Sequence, residues 1–344
     1  MTKHATRLLG LAALAAAMAG LCVGPLEIGL AELGAILARS LGLELGPQPD
    51  AVHATVLLHV RLPRVLFAAI AGAGTACAGL CLQAVFRNPL ADPSLIGVTS
   101  GASLGAVVAL YAGPTFALLH PALAQLALPL CAFVGALGAT ALAAALARQA
   151  GGLSSGSLLL AGLALNALCF ALLGLALFVA DDARLRNLSL WTLGSLGGAN
   201  WAAFALTAPA VAFGLLLLAR NTRSLDALLL GEDAAHLIGI DVRRLRRTVI
   251  AASALVVGAA VAFTGPISFL GLLAPHLARL ALGARHRALL PACAALGACL
   301  LLLADLVART LAPPGELPVG ALLALLGTPA FLWLMRRQPR GALA

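Results

Sequence analysis

Residues 61–102 read RLPRVLFAAIAGAGTACAGLCLQAVFRNPLADPSLIGVTSGA, and the architecture of the whole chain can be read outward from them. Arg61 and Arg64 are followed by a run from Val65 to Phe86 that holds no Asp, Glu, Lys or Arg. A helix rises about 1.5 Å per residue, so roughly 20 such residues cross the hydrocarbon of a bilayer. Pro89 and Pro93 then stop the helix, and Asn88 and Asp92 are placed to cap the next one. A second apolar run opens on Ser100, Gly101 and Ala102. The pattern is a membrane entry, a span, a tight turn and the start of another span.

The same reading extends in both directions. Charge-free runs at residues 8–26, 288–304 and 317–335 hold one span each, and 93–147 holds two, broken near Gly113, Pro114 and Pro121. Residues 149–180 hold one, and 187–219 hold one plus a short segment before Trp201. Residues 248–278 hold a span ending near Thr264, then a shorter helix restarting after Gly265 and Pro266. The expectation is an all-α integral membrane protein of about ten transmembrane helices, with residues 1–344 forming a single transmembrane domain. Composition requires the same solvent. Of 344 residues, 62% are hydrophobic and 10% charged, against about 25% charged in soluble domains.

Charge placement orients the bundle. The net charge of +9 rests almost wholly on arginine, Lys3 being the one lysine, and the arginines gather at the ends of apolar runs. That is a topology signal rather than a nucleic-acid footprint. With the N-terminus inside, the inner segments take Lys3, Arg7, Arg87, Arg148, Arg220, Arg223, Arg243, Arg244, Arg246, Arg247, Arg285, Arg287, Arg336, Arg337 and Arg340. The outer segments take only Arg39, Arg61, Arg64, Arg184, Arg186 and Arg309. The topology read is N-in, C-in. Residues 27–60 become an outer excursion with a short helix over 31–42, and 220–247 the longest inner loop. The basic start and apolar run of residues 1–24 read as a retained first helix rather than a cleaved signal. Trp191 and Trp201 are spaced for an outer interface, where indole rings settle at headgroup depth.

Several chemistries are not encoded. The single lysine, at position 3, leaves no P-loop, and neither H-E-x-x-H nor G-x-S-x-G occurs. The seven cysteines lie in apolar stretches and read as small buried hydrophobes, with no disulfide and no metal site expected. Mid-membrane polar groups are few: Gln83, Asn166, His276 and small hydroxyls. Asp305 and Arg309 stand four apart on one helical face, where they can pair. With no midplane carboxylates, an ion-coupled carrier is disfavoured, and a membrane enzyme or scaffold lacks a catalytic constellation. The energy source is expected in another subunit.

The ordered blocks carry a resemblance. After Arg61–Arg64 and Gln83–Pro93 come Leu159–Asn166, Trp191–Leu196, Leu229–Ala235 with Leu237–Ile240, Gly265–Leu272, Pro275–Arg279, Ala304–Arg309 and Glu316–Gly320. In this order and spacing the chain closely resembles the FecCD-type permeases of ATP-binding-cassette importers, which take up iron-siderophores, heme and vitamin B12. The resemblance implies the fold of the vitamin B12 importer permease and a homodimer of ten-span subunits in the bacterial inner membrane. It also implies two ATPase subunits below and one periplasmic binding protein above. ATP acts on the partner subunit, no cofactor is held permanently, and lipid surrounds the chain. Heme leads among cargoes on overall resemblance, ahead of ferric siderophore and cobalamin.

The resemblance also assigns residues. Leu225, Leu228, Leu229, Leu230, Gly231, Glu232 and Gly239 match the coupling segment that docks on the ATPase: leucines as anchor, Gly231 as a break between two short helices, Glu232 and Asp233 as caps of the second. Arg61, Arg64 and Arg309 match outer-rim arginines that pair with the binding protein, with membrane anchoring or an internal Arg309–Asp305 pair as the alternative. Ser154, Ser155 and Gly156 fall where the family narrows its pathway, helix capping being the alternative for the serines. His276 is expected to pack or cap rather than to ligate heme.

Overall fold

A computed structural model describes residues 2–43, 46–149, 152–153, 155–312 and 315–337 of the chain. The first helix, α1 (Thr2–Cys22), leads to the short α2 (Leu30–Ser40). Next, α3 (Ala51–Val56) runs through a π turn (Leu57–Arg61) into α4 (Leu62–Phe86). Then come α5 (Val98–Leu119), α6 (Pro121–Leu146), α7 (Ser155–Phe178), α8 (Asp182–Thr192) and α9 (Trp201–Arg220). Two short helices, α10 (Thr222–Leu228) and α11 (Glu232–Leu237), precede α12 (Val242–Thr264), α13 (Leu270–Leu282), α14 (His286–Thr310) and α15 (Val319–Arg337). The only strands among the described residues pair Arg148–Gln149 with Gly152–Leu153, antiparallel.

Seven described helices are long and apolar enough to cross a membrane, and Val98–Gly113, Leu270–Leu282 and Val319–Leu334 are shorter apolar helices. Faces turned away from the core are themselves apolar. On α7, Leu160, Leu163, Phe170 and Phe178 are all more than half exposed. Such a surface is stable against lipid tails and costly against water.

The second long helix starts earlier than its charge-free run. Asp50 caps it by accepting from the Val52 N–H at 2.8 Å, and helix then continues from Ala51 to Phe86. Residues 51–60, expected in the outer excursion, therefore belong to this helix. The π turn is the reason it can continue. Leu62 N–H bonds back to the Leu57 carbonyl, and Pro63 has no N–H to offer Leu58. The Trp201 indole takes the Leu58 carbonyl instead, at 2.8 Å. At its other end, Asp92 caps a 3-10 turn (Pro93–Ile96) rather than α5, which starts one residue beyond Gly97.

Helix α4 is the centre of the core. Its small face, Gly72, Ala76 and Gly79, meets Gly297 of α14 and Gly271 of α13. A Cβ on Gly72 would collide with the Gly297 carbonyl, and a Cβ on Gly297 with that of Gly72. Backbone contact of this kind replaces the hydrophobic drive that lipid removes. Polar side chains tie the same elements. Gln83 Nε2 donates to the Gly271 carbonyl at 3.1 Å, and its Oε1 accepts from Arg279. Asn166 accepts from Ser100 and donates to the Ser94 carbonyl at 3.0 Å. His276 packs edge-on against Phe331, with ring centroids 5.6 Å apart.

Candidate coupling loop and arginine rim

The loop between α9 and α12 folds as two short helices broken at Gly231, whose φ of +109° no other residue adopts cheaply. Gly239 (φ +84°) closes the second helix, donating to the His236 carbonyl at 2.9 Å. The leucines divide by direction. Leu225 and Leu228 are buried and seat α10 on the bundle, whereas Leu229 (51%), Leu230 (75%), Leu237 (88%) and Ile238 (63%) are exposed together. Leu237 and Ile238 extend the apolar surface beyond the leucine triplet singled out in the sequence.

Two polar ties hold this loop from behind. Glu232 Oε1 lies 2.8 Å from Arg246 Nη2 on α12. With Asp233 it stands in the first turn of α11, as expected of residues that complement a helix N-terminus, and its carboxylate also bridges to α12. Asp226 Oδ1 accepts from both the backbone N–H of His286, at 2.6 Å, and its Nδ1–H, at 2.9 Å. The sequence reading missed both partners, because 14 and 60 residues separate them from the loop carboxylates.

At the opposite end of α14 stand the three expected rim arginines, and all are buried: Arg61 4%, Arg64 7% and Arg309 6% exposed. Arg61 Nη1 donates to the Leu21 and Cys22 carbonyls at 2.8 and 3.0 Å, and Nη2 to that of Leu26. Arg309 donates to the Gly20 carbonyl. These are last-turn carbonyls of α1 and the chain just after it, the groups a helix end leaves unpaired. Arg64 Nε donates to Asp305 Oδ1 at 2.9 Å, and its two Nη groups form a fork on Glu316 at 2.8 and 2.9 Å. Asp305 Oδ2 also faces Arg309 Nε at 3.6 Å, the i,i+4 pair read from sequence. None of the three guanidiniums presents itself to solvent, so direct pairing with a docked protein would require breaking these bonds.

Glu316, the residue closing this network, opens the last of the ordered sequence blocks but is given no role there. It lies between α14 and α15, and Arg64 holds its carboxyl below the usual glutamate range. Ser154 lies outside the described residues. Ser155 starts α7, its side chain undescribed, and Gly156 follows it exposed, with open space where a Cβ would sit.

Residues 11–337 match the FecCD transport family. The chain belongs to that family. It is 44% identical over 317 residues to the hemin transport system permease protein HmuU of Yersinia pestis, covering 91% of this chain and 92% of that one. It is 41% identical over 282 residues to the vitamin B12 import system permease protein BtuC of Escherichia coli O157:H7, covering 82% and 84%. Among solved structures, an inward-facing transporter described as of the metal-chelate ABC type superposes with a TM-score of 0.82. That match has 31% identity and covers 97% of this chain and 99% of the other.

The FecCD assignment makes the chain a multi-pass permease of an ABC importer, with the vitamin B12 importer permease fold. The family works with ATPase subunits that are separate chains and with binding proteins. The tied, apolar α10–α11 loop and the buried rim are thus features of a transport subunit.

Proposed function

We propose that this permease is the pore of a homodimeric importer in the bacterial inner membrane, carrying heme and powered by two ATPase subunits seated on α10–α11. The observation that carries the reading is the exposure of four large apolar side chains, Leu229, Leu230, Leu237 and Ile238, on one short loop flanked in sequence by Arg220, Arg223, Arg243 and Arg244. An apolar patch rimmed by charge is a protein-docking surface. The basic excess at this end supports a cytoplasmic placement, with the arginine rim facing the periplasm. There the binding protein would dock on a surface whose shape the internal bonds of Arg61, Arg64 and Arg309 maintain. Heme is favoured by the similarity to the hemin permease. A ferric siderophore or cobalamin fits the same architecture, given the similarity to the vitamin B12 permease. Ser155 and Gly156 at the start of α7, with Ser154 before them in sequence, are proposed to line the narrow part of the route.

Reconstitution tests the reading. Vesicles containing permease, cognate ATPase and cognate binding protein should accumulate hemin only with ATP. Accumulation driven by a proton gradient without nucleotide would refute it, and ATP-dependent uptake of cobalamin but not hemin would reassign the cargo alone.

A further inference from the structure

The α10–α11 loop touches the rest of the bundle through unlike contacts. Leucines seat it, but leucine packing can slide, whereas a carboxylate receiving two N–H groups from one residue fixes position and direction. Asp226 makes such a contact with His286, accepting the backbone N–H at 2.6 Å and Nδ1–H at 2.9 Å. His286 is 2% exposed and is the first residue of α14.

The far end of that helix is fastened too. Its 25 residues extend about 37 Å at the usual helical rise. Asp305 and Arg309 occupy its last two turns and bind Arg64 of α4 and the Gly20 carbonyl of α1. Along its length Gly297 meets Gly72 backbone to backbone, so α14 cannot rotate or bend there without moving α4. One helix, unbroken through Pro291, is therefore held by polar bonds at both ends: to the docking loop and to the rim.

We propose that Asp226 and His286 are positioning residues that pass displacement of the docking loop into α14 and so to the rim. The proposal rests on the ATPase-docking reading above. A packed helix bonded at both ends is one kind of element that carries coupling over such a distance, and α14 with its two sets of bonds is that element here.

The test compares three variants in the complete complex of permease, cognate ATPase and cognate binding protein. Asp226→Asn keeps an oxygen acceptor, His286→Ala keeps the backbone bond and loses the ring bond, and Asp226→Ala loses both. Two quantities are read: ATPase retained on the purified permease, and the factor by which binding protein stimulates ATP hydrolysis. Stimulation should fall at least about five-fold in Asp226→Ala, less in His286→Ala, and stay near wild type in Asp226→Asn. A stimulation factor equal across the series, with only the yield of complex declining, would mean a purely structural tie and would overturn the proposal. Should Asp226→Ala fail to fold, His286→Ala decides by the same criterion. A wild-type permease that retains no ATPase would sink the docking reading and this inference with it. Equal stimulation on an intact complex sinks only the inference.

Discussion

The two ends of α14 use charge in opposite ways. At the rim, Arg61, Arg64, Arg309 and Asp305 are all buried and bonded to one another or to helix-end carbonyls. At the loop, the carboxylates of Asp226 and Glu232 tie backward to the bundle while leucines face outward. An interior charge network is intolerant of losing one member, because the survivor stays buried and unpaired. An outward apolar patch is tolerant in folding and intolerant in association. The contrast separates stability from partnership along one helix.

Removing a rim charge should have the largest effect. Asp305→Ala leaves Arg309 without a carboxylate and Arg64 with Glu316 alone, and should cost about 3 kcal/mol. The expected outcome is loss of most folded protein in a thermal-unfolding assay in detergent. Substituting Arg64, Asp305 and Arg309 together by apolar residues of similar volume should be milder than Asp305→Ala alone. A triple variant as unstable as the single one would contradict the account of the rim as an internal network.

The loop should respond differently. Leu230→Asp with Leu237→Asp should change unfolding by no more than about 0.5 kcal/mol, as surface substitutions do. ATPase affinity should fall by roughly 30-fold or more, the effect of losing anchor residues from an interface. Titrating cognate ATPase against permease in detergent measures it. Unchanged affinity would mean that this face is lipid-facing.

Smaller effects resolve the rim in finer detail. Trp201→Phe leaves the Leu58 carbonyl without its donor and should cost about 1 kcal/mol in unfolding. Glu316 is 40% exposed at its side chain, so Glu316→Gln should cost at most about 1 kcal/mol at neutral pH. Because its folded carboxyl titrates below the unfolded one, the Arg64–Glu316 bond is fully present at neutral pH. It is lost as pH falls through the lowered folded value. Thermal unfolding should therefore show a wild-type loss of stability in acid that Glu316→Gln partly removes.

The spans were legible because the signals are local. Charge-free runs, Pro121, Gly265 with Pro266, and the leucines before Gly231 each report on a window of one helix or one turn. That is why the break between α5 and α6, the restart at α13 and the two short helices of the loop were readable. The start of the second long helix was not. Arg61 and Arg64 mark a membrane boundary by charge but do not end a helix, and the π turn with the Trp201 bond accommodates Pro63 inside it. Glu232 was legible as a first-turn acid of α11, but its partner Arg246, 14 residues away, left no local mark.

Composition and ordered motifs are properties of the linear chain, and they alone establish that this protein lives in lipid, where most of its helices begin and end, and which family it joins. Which charges are interior is a matter of packing. Arg64 is separated from Asp305 and Glu316 by 241 and 252 residues along the chain, and the three become neighbours only when α4 and α14 close on Gly72 and Gly297. Burial, which turns an arginine from a solvated charge into a bonded one, is set by that closure.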